Sequence, residues 1–313
     1  MLLPSDKNMG NNTKVSVVGC GRVGITAAYT MYLKNNINEI VLYDRNKEKI
    51  AAERLDFLHS LSFLGTTKVN VAQDISDLKD SDIIVYSEGA AQAPGESRLD
   101  LVKKNTEILE SVLPELLKYS PNSTIIIVAN PVDILTYKAY KLAKIKKGKI
   151  FGSGTTLDTA RFRYYLSETL KVSPINIHGY ILGEHGDSSF PTVSTANVGG
   201  ELLEALKGYS KEMVMEAYKK ARDAAYEIIA GKGATYYSIA VVVDQLVQVC
   251  LNDSKRIFPV SVPLEGEYGF SDVSLSVPCV LGKDGAEKII ELGLSDEEKE
   301  MMEKSVFILK KYL

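Results

Sequence analysis

Three side chains in the second half of the chain have the types and the spacing needed to move a proton beside an anionic substrate. His185 lies in the glycine-flanked loop ILGEHGDSSFP, and Asp158 and Arg161 lie in GTTLDTARFR. A histidine titrates near working pH, and a neighbouring carboxylate can hold its ring in one tautomer. Asp158 and Arg161 share one face of a helix, so an acid for the histidine and a cation for a substrate acid can emerge together. The alternative for this pair is an ordinary surface ion pair.

A glycine-rich loop near the start of the chain predicts a dinucleotide site. VVGCGRVG places Gly19, Gly21 and Gly24 in the GxGxxG spacing, after the strand KVSVV and at the start of a helix. The glycines allow a tight turn, and a pyrophosphate can bind at the positive helix N-terminus. Asp44 ends the next strand, where its carboxylate can bind ribose hydroxyls and repel a 2′-phosphate. The pattern favours NAD over NADP; the alternative is a glycine turn beside an exposed Asp.

Two polar positions follow other predicted strands and face the same crevice. The loop AQAPGESR follows DIIVYS, and we expect it to form a mobile lid, residues 90–100, over the ligand. Arg98 would polarise a reacting carbonyl when the lid closes; the alternative is a solvated Arg in a first helical turn. Asn130, in VANPVD, ends another strand and is held extended by Pro131, which directs its amide at the crevice.

The elements that must position these residues alternate regularly between residues 14 and 152. The strand candidates are KVSVVG, EIVLYD, DIIVYS, STIIIVAN and KIFGSG, and the helical segments are residues 22–35, 47–63, 99–119 and 132–144. Nearly continuous apolar runs are typical of strands buried on both faces. Repeated strand–helix–strand units predict an α/β fold with a doubly wound parallel sheet, a Rossmann domain, over residues 13–152.

After residue 152 the pattern changes. Helical spacing at residues 155–170, 211–231 and 235–251 is interrupted by short strand-like pieces, and strands near 259–280 precede a charged C-terminal helix. This predicts a mixed α+β substrate and catalytic domain, residues 153–313, packed tightly on the first domain. The polar start MLLPSDKNMGNNT predicts a flexible tail over residues 1–12.

Composition excludes several classes of protein. The 313-residue chain is 45% hydrophobic and 25% charged with a net charge of -3, and no basic block stands clear of acids. This argues against binding to nucleic acid or to an anionic membrane. No apolar run is long enough to span a bilayer. The three cysteines are far apart without a CxxC, which argues against disulfides and a metal site and favours a cytoplasmic protein.

Together these motifs resemble the L-lactate/malate dehydrogenase family across essentially everything after the tail. The matching segments are, in order, VVGCGRVG, VLYD, QAPGESRLDLV, VANPVDILTY, GSGTTLDTARFR, GEHGDSSFP and KGATYYSIA. The resemblance implies that His185 is the proton donor and acceptor and that Asp158 is its carboxylate partner. Arg161 would bind the substrate carboxylate through its planar fork, and Arg98 would stabilise charge on the carbonyl oxygen.

The resemblance also implies a cleft for NAD, in which Asn130 contacts both substrate and cofactor. The implied cofactor residues are Gly19, Gly21, Val23, Gly24, Asp44, Gly89, Ala90, Ser111, Asn130 and Ser153. One departure lies in this cleft: the family usually has Thr-Ala-Gly-Ala after the fourth strand, where this chain has Ser87, Glu88, Gly89 and Ala90. The Glu88 carboxylate either repels the cofactor phosphates or points away, and the sequence leaves both open.

Substrate choice in the family depends on the lid residue six before Arg98. Malate dehydrogenases place an Arg there to meet a second carboxylate, whereas this chain has the neutral Gln92. Thr235 also resembles the lactate type, so the expected substrates are pyruvate and L-lactate, as in fermentative glycolysis. A malate or other 2-hydroxyacid dehydrogenase is the alternative. A non-catalytic NAD-binding protein is the alternative from another class, but it has no reason to keep His185, its acid and both arginines.

A second ligand site is implied for Arg163 and His178. In bacterial relatives the matching pair binds fructose 1,6-bisphosphate at a subunit interface, and Arg163 should face away from Arg161 on its helix. Animal relatives carry the same two residues without this activation, so both outcomes stay open. The family expectation for the assembly is a homotetramer, with a dimer as the alternative.

We predict that Gln92→Arg shifts the preference of the enzyme toward oxaloacetate, because the new cation would pair with the second carboxylate in a closed site. The measurement is the ratio of kcat/KM for oxaloacetate to kcat/KM for pyruvate in both proteins. A variant that still strongly prefers pyruvate would show that other pocket residues decide the substrate.

Overall fold

A nine-stranded sheet forms the centre of the molecule. The structure, a computed structural model, describes residues 12–90 and 98–313, without the side chain of Arg98. Six parallel strands come from the first half: β1 (Lys14–Val18), β2 (Glu39–Tyr43), β3 (Lys68–Val71), β4 (Ile83–Tyr86), β5 (Thr124–Ile127) and β6 (Ile150–Gly152). Their order is β3-β2-β1-β4-β5-β6, the doubly wound arrangement. The predicted fold class is confirmed.

Helices cover both faces of the parallel strands. They are α1 (Arg22–Lys34), α2 (Lys47–His59), α3 (Arg98–Tyr119) and α4 (Val132–Ala143). Consecutive strand residues contribute to different cores: Val17 belongs to one buried cluster and Val18 to another. Because side chains alternate across a strand, each face of the sheet has its own core. This two-sided burial explains the continuous apolar runs in the sequence.

Two local predictions in this half differ from the structure. The helix predicted over residues 47–63 ends at His59, and hydrogen-bonded turns follow it. The apolar Leu61 and Phe63 are exposed, so a longer helix would gain no core contact from them. β3 was missed by the sequence analysis. It is an edge strand with only Val69 fully buried, so it lacks the apolar run by which its neighbours were recognised.

The second half supplies helices α5 (Thr156–Leu170), α6 (Lys211–Lys232), α7 (Tyr237–Leu251) and α8 (Asp296–Lys310). Five two-residue strands form small sheets: β7 (Ile177–His178), β8 (Ile181–Leu182), β9 (Phe190–Pro191), β10 (Asn197–Val198) and β11 (Glu201–Leu202). The long strands β12 (Arg256–Glu265) and β13 (Ser271–Gly282), followed by β14 (Gly285–Ile289), join the central sheet. No helix in the described ranges is long and apolar enough to cross a membrane.

The two halves of the central sheet meet at β6 and β12. β12 runs antiparallel to β6 and pairs with it at Ser261 and Gly152. A Cβ on Gly152 would lie 2.5 Å from Thr136 Oγ1 and 2.7 Å from Val132 Cγ2. Only glycine fits where α4, β6 and β12 meet. The chain enters α5 four residues later, so this junction fixes where α5 starts.

We predict that Gly152→Ala lowers the free energy of unfolding by about 1–3 kcal/mol, because the added methyl group must displace packed neighbours. The matched control is Gly231→Ala in α6, where a Cβ meets nothing within 4 Å; it should be neutral or stabilising by up to about 1 kcal/mol. Urea denaturation of both variants measures the difference. Equal midpoints would contradict the packing described for this junction.

Candidate active site

His185 meets a carboxylate from a different part of the chain. His185 Nδ1 lies 2.7 Å from Asp158 Oδ2, across 27 residues of sequence. Arg161 Nη1 lies 3.1 Å from the other oxygen of Asp158. The side chains of Asp158 and Arg161 are only 15% and 12% exposed, unlike an ordinary surface pair. The structure therefore brings together the three side chains with which the sequence analysis began.

Two buried acids, Asp133 and Glu184, stabilise the histidine loop. The His185 backbone N–H donates to Asp133 Oδ2 at 2.7 Å, from α4. The Glu184 backbone N–H donates to Ser305 Oγ in α8, and Glu184 accepts from the Ser188 hydroxyl. The acid next to the histidine in sequence thus supports the loop and leaves the ring to Asp158. Asp133 was missed, although its motif VANPVD was recognised for Asn130.

Burial and the charges of the neighbouring groups shift the pKa values of His185 and Asp158. Burial lowers the pKa of His185, but the Asp158 carboxylate more than reverses this and leaves the pKa at about 8. Burial raises the pKa of Asp158, yet His185 and Arg161 hold it below its ordinary value. Near neutral pH the pair is therefore an imidazolium and a carboxylate. Since Nδ1 is engaged by Asp158, Nε2 is the nitrogen that can exchange a proton with a ligand.

Arg161, His185 and Asp158 open onto a cleft of about 180 Å³, a size suited to a small organic acid. One face of α6 forms its opposite wall, and the Tyr226 hydroxyl donates to Asp187 Oδ1 across it at 3.1 Å. The α6 residues that line the cleft are Tyr218, Ala221, Arg222, Ala225 and Tyr226. This wall was not predicted from the sequence; the indication available there was that its residues are spaced three to four apart along the helix.

The glycine-rich loop has the shape a dinucleotide requires. Gly19 adopts φ +85°, and its Cβ would lie 2.4 Å from the Glu88 nitrogen. A Cβ on Gly24 would lie 2.0 Å from the Gly19 oxygen, whereas the space around Gly21 is open. α1 starts after Gly21 without a side-chain cap or an acidic residue in its first turn. Its free N–H groups can bind a pyrophosphate.

The predicted ribose acid lies beside this loop. Asp44 Oδ2 accepts the Cys20 N–H at 2.8 Å, and Oδ1 accepts the Asn46 N–H at 2.9 Å. These bonds orient the carboxylate at the end of β2, and each oxygen keeps a lone pair for a ribose hydroxyl. The loop, the helix start and Asp44 therefore fit NAD.

A buried amide that was not predicted from the sequence joins the loops that follow β4 and β5. Asn105 Oδ1 in α3 accepts the Ala90 N–H at 2.7 Å, and its Nδ2 donates to the Asn130 oxygen at 2.7 Å. Asn130 is exposed and precedes Pro131 through a cis peptide bond. In the sequence Asn105 is a single polar residue on an apolar helix face, and this pattern does not by itself indicate which groups the side chain contacts. Only its contacts identify it as the link between the ends of β4 and β5.

The remaining predicted cofactor and substrate residues differ in burial and in the contacts they make. Ser153 is buried at the end of β6, where its N–H donates to the Ile127 oxygen. Ser111 is exposed, and its hydroxyl bonds back to its own helix, so none of its described contacts joins it to the cleft. The others are Val23, partly buried in α1, Gly89, exposed after β4, and Thr235, partly buried just before α7. Gln92 and the Arg98 side chain lie outside the described residues, as do most of the predicted lid and tail.

The candidate effector residues lie on the other side of α5. Arg163 Nε donates to the Gly179 oxygen at 3.0 Å, and the guanidinium lies over the Tyr180 ring. Burial lowers the pKa of Arg163. His178, next to Gly179, is exposed on β7. The two residues are therefore near each other and apart from the His185 cleft.

Comparisons with known proteins agree on one family. The family model described as lactate/malate dehydrogenase, NAD binding domain, matches residues 13–152, and the alpha/beta C-terminal domain of that family matches residues 155–313. The chain is 45% identical to the L-lactate dehydrogenase of Thermoanaerobacterium saccharolyticum, covering 95% of this chain and 97% of the relative. It is 44% identical to L-lactate dehydrogenase 1 of Clostridium acetobutylicum, covering 97% and 99%.

A solved structure is similar throughout. The crystal structure of minor L-lactate dehydrogenase from Enterococcus mundtii in the ligands-bound form superposes with a TM-score of 0.92 at 37% identity, covering 96% of this chain and 97% of that one.

We predict that Asp158→Asn brings the pKa of His185 from about 8 to below its ordinary 6.5, because burial then acts almost unopposed. NMR titration of the imidazole signals, assigned with His185→Gln, measures this pKa. Because folding raises the pKa of His185 to about 8, the charged imidazole stabilises the folded protein. This stabilisation is fully present below about pH 6.5 and is lost as pH rises through about 8. The control Asp187→Asn should shift the pKa of His185 much less. An unchanged pKa in Asp158→Asn would contradict the assignment.

Proposed function

We propose that this chain, which belongs to the lactate/malate dehydrogenase family, catalyses the reversible reduction of pyruvate to L-lactate by NADH. It is an NAD-dependent dehydrogenase with a Rossmann domain. The observation that carries the choice of reaction is the paired His185 and Asp158 beside Arg161 in one small cleft. Relatives named L-lactate dehydrogenase at 44–45% identity over nearly the whole chain support the choice of substrate.

His185 is proposed as the proton donor and acceptor. When bound, NADH would supply the hydride for the keto carbon. His185 Nε2 donates its proton to the keto oxygen, and Asp158 holds the ring in the required orientation and stabilises its charged form. In lactate oxidation the neutral imidazole takes the proton back. A pKa of about 8 leaves both protonation states accessible near working pH.

Arg161 is proposed to bind the substrate carboxylate. Only Nη1 of its guanidinium contacts Asp158, so other N–H groups of the planar fork are available for a bidentate contact. Asp158 thereby orients both Arg161, which would bind the substrate carboxylate, and His185, which would donate the proton. Arg98 is proposed to stabilise charge on the substrate carbonyl oxygen when the lid, residues 90–100, closes.

The choice of lactate over malate rests on two residues and on the relatives. Gln92 offers no charge to a second carboxylate, and Thr235 is proposed to narrow the same pocket. A malate or other 2-hydroxyacid dehydrogenase is the competing function. A non-catalytic NAD-binding protein would not need the partly buried ion cluster at His185, whose charged groups are costly to bury.

We propose that NAD binds across the carboxyl ends of β1, β2, β4 and β5. The residues that would hold it are Gly19, Gly21, Val23, Gly24, Asp44, Gly89, Ala90, Ser111, Asn130 and Ser153. Domain limits at residues 13–152 and 153–313, a flexible tail over residues 1–12 and a cytoplasmic role in fermentative glycolysis complete the proposal. The chain pattern and the three free, buried cysteines support it.

Assembly and regulation are part of the same proposal. Exposed apolar side chains on the surface of α1, α7 and the turn after α2 favour association between subunits; they include Leu33, Val241 and Phe63. The proposed assembly is the homotetramer expected for the family, with a dimer as the alternative. Arg163 and His178 are proposed to bind fructose 1,6-bisphosphate between subunits. The alternative is that the pair is present without activation, as in animal relatives.

The deciding experiment compares kcat/KM for pyruvate and oxaloacetate with NADH, with and without saturating fructose 1,6-bisphosphate. We expect pyruvate to be preferred by at least about a hundredfold. Pyruvate reduction should fall as pH rises through about 8, and lactate oxidation should rise, because they require opposite protonation states of His185.

Equal or greater turnover of oxaloacetate would reject the lactate assignment. Absence of NADH oxidation with any 2-ketoacid, despite tight NADH binding, would favour the non-catalytic alternative. For regulation, we expect the bisphosphate to lower the pyruvate requirement and Arg163→Gln to remove that response. No response in either protein would reject the effector site.

A further inference from the structure

The adenosine end of the proposed NAD cleft contains an ion pair that involves the departure at Glu88. We infer that Glu88 is a specificity-determining residue that excludes NADP by holding Arg45 away from a 2′-phosphate. This inference rests on the proposed function, because it assumes that the cofactor lies across the glycine-rich loop with its ribose at Asp44.

Topology places the residues concerned at one edge of the sheet. Val18 of β1 pairs with Tyr43 of β2 on one side and with Tyr86 of β4 on the other. Asp44 directly follows β2, and Glu88 comes two residues after β4. The Glu88 backbone packs against the loop so closely that a Cβ on Gly19 would lie 2.4 Å from its nitrogen. Asp44 and Glu88 therefore flank the loop that would hold the pyrophosphate.

Arg45 is the residue type that an NADP site uses at this place. An Arg near the ribose acid accommodates a 2′-phosphate in dinucleotide folds, and Arg45 is the next residue after Asp44. Its Nε lies 2.9 Å from Glu88 Oε1. The Arg45 side chain is 67% exposed and that of Glu88 only 12%, so the acid is the fixed partner. Glu88 therefore holds the Arg45 side chain toward the end of β4.

The other cations that follow Asp44, Lys47 and Lys49, form no ion pair with a described acid, although Lys47 also acts to lower the pKa of Glu88. Lys47 Nζ donates to the Ala72 oxygen at 3.0 Å and lies over the Tyr43 ring. Lys49 Nζ donates to the Cys20 oxygen at 2.7 Å. Among the acids that the structure describes, Glu88 is the only one that forms an ion pair with a cation of residues 45–49, and that cation is Arg45. Arg45 is therefore the cation that a single substitution of an acid can release.

The carboxylates of Asp44 and Glu88 also make this end of the cleft unfavourable for added negative charge. Glu88 Oε2 is buried and has no hydrogen-bond partner among the described residues. Burial and the nearby Asp44 raise the pKa of Glu88, against the opposing effect of Arg45. NAD presents ribose hydroxyls, which donate to carboxylates, whereas NADP presents a phosphate of about two negative charges. Glu88 therefore weakens the binding of NADP more than the binding of NAD.

The test uses Glu88→Ala, which introduces the residue that the family usually has here. Binding of NADPH and of NADH is measured by fluorescence titration, alongside pyruvate reduction with each cofactor. We expect Glu88→Ala to tighten NADPH binding at least about tenfold, the strength of one charge-assisted hydrogen bond, and to change NADH binding much less. Retained NADH binding also shows that the variant is folded.

Two further variants separate the causes. Arg45→Gln alone should not tighten the weak NADPH binding, because it frees no cation and leaves the Glu88 carboxylate in place. Glu88→Ala with Arg45→Gln should lose most of the gain. Glu297→Ala, which removes an exposed acid paired with Lys211, is the matched control and should leave both cofactors unaffected. The inference is overturned if Glu88→Ala gives no gain, or if the gain persists undiminished without Arg45.

Failure of the proposed function would look different from failure of this inference. A protein that binds NADH but does not reduce pyruvate would reject the former, while the titrations with NADPH would still decide the role of Glu88.

Discussion

An ionised carboxylate inside a protein must be paired, and this constraint at Asp158 organises the site. Its two oxygens are divided between His185 and Arg161, so one acid pairs with two cations that come from different elements. Burying any of the three alone would be costly. The same sharing keeps Asp158 ionised and the imidazole charged near neutral pH. A proton donor and an anion anchor are thereby held in one geometry.

The rest of the fold brings those elements to the same point. α5 starts just past the end of β6, where the antiparallel strand β12 joins the parallel sheet at Gly152. The histidine loop is fastened from two sides, by Asp133 of α4 and Ser305 of α8. Asn105 links the loops after β4 and β5. The packing of both halves therefore sets the distance between a cofactor on the sheet and the histidine.

Local patterns were sufficient for much of this. Apolar runs, nearly continuous in four cases, predicted five of the six parallel strands. Helical spacing predicted the eight α-helices of the described residues, the first seven of them to within a few residues. β3 escaped because an edge strand needs little apolar surface. Asp133 and Asn105 escaped because their importance lies in backbone groups distant in sequence. The α6 wall of the cleft escaped because periodicity identifies a buried face without identifying what lies opposite.

By itself the sequence determined the class of fold, the glycine-rich turn and the shared face of Asp158 and Arg161, since these follow from backbone geometry over a few residues. Tertiary structure decided which acid meets which base. Glu184 adjoins His185 in sequence yet bonds to Ser188, while Asp158 meets the ring across 27 residues. Glu88 was ambiguous until Arg45 was seen beside it. Charge pairing depends on distance in space, and only the packed chain sets that distance.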